Sequence, residues 1–298
     1  MLNLGLRLWL YAVTLLCLNG LNGVAWADET RSTGAQNTKV NVPLIVGVAP
    51  HTSVRELIAD YQPLRHFLQK ALQRDVSVVT APNFDEYLRR ALAGRYDLAI
   101  TTGHQARLLQ TDAGYLPLVT YQADFSGIAV VAASGKIKQA KDLSGQSVAN
   151  LSPTSLVTLW SSHWLQEQGV VGERMHYISA SDSIAELVLA GEVAAGFLSQ
   201  SNYDRLGADV RARLHILAHS PLFVGRVYML NPRLEDDRAR FLAALEAFAN
   251  APEAQAYFTR TKLLGYRPLN PGELEMMEPY AQALRLLLAP SIVEKAGS

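Results

Sequence analysis

Four short polar segments are the places where residue type and spacing in this chain could do chemistry. They are Pro50-His51-Thr52-Ser53, Thr101-Thr102-Gly103-His104, Ser152-Pro153-Thr154-Ser155 and Ser199-Gln200-Ser201-Asn202. Each follows an apolar run, and each offers hydroxyls, imidazole nitrogens or backbone amides. Such groups suit hydrogen-bonded capture of a small polar molecule better than bond breaking. The third segment is the sharpest. Ser152 is placed to cap a helix, and Pro153 suits the first helical position, where no N–H is needed. The amides of Thr154, Ser155 and Leu156, with two hydroxyls, would then face outward from a helix start. That arrangement holds an oxyanion without a formal positive charge.

Signatures of catalysis are missing. The patterns G-x-S-x-G, H-E-x-x-H, G-x-x-x-x-G-K-[ST] and G-x-G-x-x-G do not occur. The histidines His51, His66, His104, His163, His176, His215 and His219 are scattered. His215 and His219 are four apart but fall in a strand-and-loop pattern, so no metal site is expected. Trp160 and Trp164 share helical spacing with Leu156 and Leu159 and read as a core stripe. Glu235, Asp236 and Asp237 complement a helix start. An enzyme would need a partner for His51 or His104, and none is visible in the sequence.

The elements that must hold these segments alternate. Pro43 to Val48 is a short continuous apolar run, as expected of a strand covered on both faces. Ser53 and Glu56 form a capping-box pattern ahead of Leu57, Tyr61, Leu64, Phe67, Leu68 and Leu72 at helical spacing. Asp75 to Thr80 and Tyr96 to Ile100 predict strands, with a helix over Phe84 to Leu92 between them. Apolar runs at Tyr115 to Tyr121 and Gly127 to Ala133 precede a second series. It comprises strands over Ser147 to Leu151, Met175 to Ile178 and Ala194 to Leu198, with helices over Thr154 to Gln168 and Ile184 to Leu189. A strand over Phe223 to Leu230 follows, then helices over Leu234 to Ala249, Glu253 to Phe258 and Pro271 to Leu288. The pattern predicts an α/β protein of two lobes, each a mostly parallel sheet flanked by helices. Residues 42–126 plus 225–298 form the first lobe, and 127–224 form the inserted second. The crossovers are expected near Ser126-Gly127 and Val224-Gly225, where glycine eases backbone rotation.

Composition narrows the class further. The chain has 298 residues, 27 Lys+Arg against 27 Asp+Glu, 49% hydrophobic and 18% charged residues. Neutral charge removes the basic footprint that nucleic acid requires. Arg7, the apolar run Leu8 to Leu18 and Ala25-Trp26-Ala27 match a secretory signal peptide over residues 1–27. Residues 28–41 read as a flexible leader. Cys17 is the single cysteine, so the chain beyond residue 27 can form neither disulfides nor thiolate sites.

These features together resemble the periplasmic binding proteins of phosphate, phosphite and phosphonate transporters, within the type II binding-protein superfamily. The resemblance rests on Val46-Gly-Val-Ala-Pro50, Tyr61-Gln-Pro-Leu64, Leu92-Ala-Gly94 with Tyr96-Asp-Leu-Ala99, Ala140-Lys-Asp-Leu-Ser-Gly-Gln-Ser-Val148 and Leu189-Ala-Gly-Glu192. It implies two lobes joined by a two-strand hinge that close on a small oxyanion or polar ligand. It also implies a periplasmic monomer without cofactor or enzymatic activity, serving a transporter permease or, alternatively, a sensor kinase. The family's Ser-Thr-Ser anion loop falls on Pro153, Thr154 and Ser155. Its tyrosine after the third strand falls near Ala106, with His104 as substitute. Its histidine falls on Ser181 and its acidic residue on Ala194, so the phosphonate amine pocket is not reproduced. The expected ligand contacts are Pro50, His51, Thr52, Thr101, Thr102, His104, Thr154, Ser155, Ser181, Ser199, Ser201 and Asn202.

Overall fold

The computed structural model describes residues 42–178 and 181–289, with side chains at all of them except 181 and 182. The export segment and leader therefore lie outside the described residues. The apolar run after Pro43 forms β1 (Leu44–Val48). Ser53 then caps α1 (Val54–Leu72), its Oγ accepting from Glu56 N at 3.3 Å. Leu57, Tyr61, Leu64, Leu68 and Leu72 make the buried stripe of that helix, at the spacing the sequence shows. β2 (Val76–Val79), α2 (Phe84–Leu92) and β3 (Leu98–Thr102) follow. The backbone passes directly into α3 (Gly103–Ala113) and then β4 (Leu116–Tyr121).

Across the first crossover come β5 (Gly127–Ala132), β6 (Ser147–Asn150), α4 (Leu156–Glu167) and β7 (Arg174–Tyr177). Then follow α5 (Ser181–Ala190), β8 (Ala195–Ser199), α6 (Gln200–Arg205), α7 (Ala208–Ala212) and β9 (Leu214–His219). The return leg is β10 (Arg226–Leu230), α8 (Arg238–Ala249), α9 (Pro252–Thr261), β11 (Tyr266–Arg267) and α10 (Glu278–Leu288).

The strands form two sheets, ordered β11-β4-β10-β3-β1-β2 and β7-β6-β8-β5-β9. Both are mixed. β1 pairs in parallel with β2 and β3, and β6 with β7 and β8, whereas the ladders to β4, β5, β9, β10 and β11 are antiparallel. The cause is the return of the chain. β10 re-enters between β3 and β4 without a crossover helix, so it must run against both. The two connecting segments touch through a bridge between Phe125 and Phe223, with backbone N···O distances of 3.1 and 2.7 Å. Both sheets belong to one compact unit.

Gly127, expected to ease rotation at the crossover, has a different reason for being glycine. A Cβ there would lie 2.7 Å from Cε3 of the buried Trp160, so only a hydrogen fits. Trp160 stacks on Trp164 at 6.1 Å, and both rings meet Phe197, the core stripe their spacing predicts. The expected helix over Leu234 to Ala249 starts late. Residues Pro232–Asp237 form a 3-10 turn, with Leu234 at φ −111° and ψ 21°, and α8 begins at Arg238. The segment from Pro271 likewise becomes helical only at a 3-10 turn over Glu275–Met277 ahead of α10.

Under α1, α8 and α9 the first sheet buries a group of tyrosines whose hydroxyls satisfy one another. Tyr121 Oη lies 3.2 Å from Tyr61 Oη, 2.6 Å from Tyr257 Oη and 2.9 Å from Tyr228 Oη, and Tyr228 Oη lies 2.6 Å from Tyr266 Oη. Burial pushes the hydroxyls of Tyr121, Tyr228, Tyr257 and Tyr266 well above the usual tyrosine range, so they are neutral donors and acceptors. Among the described residues no helix is long and apolar enough to cross a membrane.

Candidate functional site

The strand-end segments of the two sheets converge, though not quite as the sequence reading expects. Thr101 and Thr102 end β3 instead of lying in a loop, and Gly103 and His104 already belong to α3. Gly103 is required there, because a Cβ would come within 2.2 Å of Val224 Cγ1. His104 is fully buried. Its Nδ1 is 3.1 Å from Thr102 Oγ1, and its Nε2 is 3.0 Å from the carbonyl oxygen of Thr154 in the other lobe. A carbonyl only accepts, so the proton sits on Nε2 and Thr102 donates to Nδ1. Burial lowers the His104 pKa to about 4, with the bond to Thr154 working the other way, so the ring is neutral.

The Ser152–Ser155 segment differs from expectation in its cap. Ser155, not Ser152, caps α4: its Oγ accepts from Thr158 N at 3.2 Å and lies 2.8 Å from Thr158 Oγ1. Ser152 and Pro153 form a turn before the helix, closed by Ser155 N donating to Ser152 O at 3.0 Å. Ser152 Oγ also accepts from Thr154 N at 3.3 Å. The amides of Thr154 and Ser155 are thus satisfied locally, which leaves Leu156 and Val157 as the orphan donors of the first turn. The Thr154 hydroxyl crosses to the first lobe and donates to Asp85 Oδ1 at 2.6 Å. Asp85, half-buried in the first turn of α2, is a contact the sequence reading misses.

The other segments are partly committed to local structure. Ser199 ends β8 and caps α6, its Oγ accepting from Asn202 N at 3.2 Å and lying 3.1 Å from Ser201 Oγ. Ser201 is exposed, and Asn202 Oδ1 accepts from Arg205. Thr52 donates to the Glu56 carboxylate, and Pro50 and Thr52 are half-buried. His51 Nδ1 lies 2.8 Å from the carbonyl oxygen of Ala49, and its ring stands edge-on to Tyr61 with centroids 6.3 Å apart. Desolvation, then the charge of Arg226, hold the His51 pKa well below the usual histidine value. Ser181 begins α5, but its side chain lies outside the described residues.

Two more polar groups were not anticipated. Gln105 Nε2 is buried without a hydrogen-bond partner, while its Oε1 accepts from Thr101 Oγ1. Arg226 opens β10, in register with Thr102. Its signal in the sequence is a lone cation between Gly225 and an apolar strand. No group of three or more His, Cys, Asp or Glu among the described residues is placed to hold a metal. A separate concavity of about 860 Å³ opens between β4, α8, α9 and β11, where Leu118, Leu242, Phe258 and Tyr266 line it. It contains none of the strand-end residues.

Two mixed α/β lobes joined by paired crossings, with polar strand ends facing one another, have the fold of the two-lobed type II periplasmic binding proteins. The sequence model of the ABC-transporter phosphonate periplasmic substrate-binding proteins matches residues 46–274, and the chain belongs to that family. Its fold is similar to that of XAC2383 from Xanthomonas citri bound to ATP, at TM-score 0.71 and 18% identity, covering 81% of this chain and 98% of that one. It is also similar to PhnD1 from Prochlorococcus marinus in complex with methylphosphonate, at TM-score 0.72 and 14% identity, over 81% and 98% of the two chains. The aliphatic sulphonate binding protein SsuA of Escherichia coli aligns at TM-score 0.55 and 17% identity, over 84% and 88%. No curated protein matches the sequence. The chain is a periplasmic substrate-binding protein of an ABC transporter.

Proposed function

We propose that this substrate-binding protein captures a small oxyanion in the cleft between lobes 42–126 plus 225–298 and 127–224, closing on it by rotation at the paired crossings. The carrying observation is the bridge across the cleft. His104 Nε2 donates to Thr154 O at 3.0 Å, and Thr154 Oγ1 donates to Asp85 at 2.6 Å. Both lobes thus bring polar strand ends into hydrogen-bonding reach. The ligand is held where these ends meet, by Thr52, Thr102 and His51 from the first lobe and by Ser155, Ser201 and Asn202 from the second. Residues 1–27 direct export and are removed after Ala27, and the mature chain acts as a monomer.

A thermal-shift screen against phosphate, alkylphosphonates, sulfonates and carboxylates tests the reading. A true ligand at 100 times its Kd adds about 2.7 kcal/mol of stability. A panel in which no anion raises the melting temperature would sink it. N-terminal sequencing of periplasmic material tests the export claim, which an intact Met1 would overturn.

A further inference from the structure

Arg226 is a half-buried cation with no acid to balance it. The register Arg226↔Thr102, Tyr228↔Ile100 and Leu230↔Leu98 sets Arg226 on the same sheet face as Tyr228, at the end of the sheet where β3 terminates. Beneath it lies the tyrosine hydroxyl group. Its guanidinium makes no hydrogen bond or ion pair with any described residue, and the groups that act on it are Tyr61, Tyr121, Tyr257 and Tyr228. Arg107, Arg267 and Arg285, by contrast, are partly buried arginines whose guanidinium groups are paired with carboxylates. Arginine keeps its charge under all conditions of folding, so a half-buried, unpaired guanidinium wants an anion from outside.

His51 stands on the other side of the same strand end. The sheet order β10-β3-β1 puts Arg226 on one strand flanking β3 and His51 in the turn just beyond the other, and Ala49 N ties that turn to Ile100 O at 3.0 Å. Arg226 is the strongest charge acting on His51, with Arg205 of the second lobe next. His51 Nδ1 lies against a carbonyl, so it carries the proton, and Nε2 presents a lone pair. No described residue donates to that lone pair. The negative charge at the Thr154 hydroxyl, by contrast, is already supplied by Asp85.

We propose that Arg226 and His51 together seat the acidic group of the ligand. The guanidinium takes a negatively charged oxygen, and His51 Nε2 accepts a hydrogen that the same group retains. The pair therefore selects oxyanions that keep an acidic hydrogen at pH 6. A phosphoryl group does, since its second ionisation lies at about pH 6, whereas sulfonate and sulfate have none left to give. The inference rests on the cleft being the ligand site.

The test is titration calorimetry of the full-length chain at pH 6 with inorganic phosphate, methylphosphonate, sulfate and methanesulfonate. The wild type is expected to bind the two phosphorus oxyanions at least about ten-fold more tightly than the two sulfur ones. Arg226→Gln should weaken phosphorus-oxyanion binding by at least about ten-fold, and Arg226→Lys by less. Arg226→Gln should keep its melting temperature, since its side chain gives up no hydrogen bond. His51→Leu should erase the phosphorus-over-sulfur preference, and His51→Gln, which restores an acceptor, should recover part of it. Wild type that binds none of the four overturns this inference, and the cleft reading falls with it only if the carboxylates of the wider screen also fail to bind. Wild type that binds, with Arg226→Gln unchanged, overturns this inference alone. Equal affinity for methylphosphonate and methanesulfonate removes the role of His51.

Discussion

Asp85 is the residue whose removal should most clearly change how the lobes sit. It reaches Thr154 Oγ1 at 2.6 Å across the cleft, and Thr154 is itself only 3% exposed. A hydrogen bond to a charged group contributes about 1.5–3 kcal/mol, and the half-exposure of Asp85 argues for the lower half of that range. Asp85→Ala should therefore weaken closure by about 2 kcal/mol, a shift of roughly 30-fold in the ratio of closed to open chains. Asp85→Asn keeps an acceptor and loses only the charge assistance, which corresponds to about 1 kcal/mol, or roughly five-fold. Single-molecule Förster transfer reads the ratio. Dyes would be carried on Glu192→Cys and Asp236→Cys, exposed positions in the second and first lobes, with Cys17→Ser removing the native thiol. The ligand-free chain should move toward low transfer in the order wild type, Asp85→Asn, Asp85→Ala. An unchanged distribution in Asp85→Ala would refute the argument, because the charge-assisted bond from Thr154 to Asp85 would then hold nothing together.

Acid should open the same interface. The His104 pKa is lowered to about 4 in the folded state against about 6.5 unfolded, so the neutral ring stabilises above pH 6.5 and that contribution drains away as pH falls toward 4. The loss approaches about 3 kcal/mol, and a chemical-denaturation series at pH 7, 6, 5 and 4 should lose much of it in His104→Gln. Ser155→Ala removes the cap of α4 and should cost about 1 kcal/mol of stability, whereas Ser152→Ala should cost less; urea melts separate the two. Gly127→Ala drives a Cβ to 2.7 Å from the Trp160 ring and should destabilise by about 1–3 kcal/mol, with a change in tryptophan fluorescence as Trp160 shifts.

Much of the fold was legible because hydrophobic period carries it. The run Leu44–Val48 and the stripe Leu57, Tyr61, Leu64, Leu68 and Leu72 needed no tertiary information, since burial pattern and sequence pattern coincide there. α3 was not legible. Its residues Gly103–Ala113 begin with a glycine and carry Thr111 and Asp112, and its burial falls on Gly103, His104, Gln105, Ala106, Leu108 and Leu109, too polar a face to read as an apolar stripe. The mixed sheets were also hidden. Nothing in the apolar strand Val227 to Leu230 says whether it runs with β3 or against it; the return of the chain from the other lobe decides that.

The site follows the same division. Local chemistry named strand-to-helix junctions, two of which the fold brings into contact across the lobes, because such junctions satisfy orphan amides with small polar residues. It then misread Thr154 and Ser155, because capping is decided by which hydroxyl reaches the helix amide: Ser155 does, and Thr154 instead spans the cleft. What no local pattern could supply is charge across distance. Asp85 and Thr154 are 69 residues apart, and Thr102 lies far along the chain from Arg226, its register partner. Once the sheet brings them together, the electrostatics divide the cleft. One end carries the Asp85 carboxylate, whose like charge disfavours an anion there. On the proposed reading the other end, where Arg226 lies among phenols and beside His51, is where an anion gains most. The choice between two ends of one cleft therefore rests on two side chains, Asp85 and Arg226, that the motif vocabulary of small polar loops does not contain.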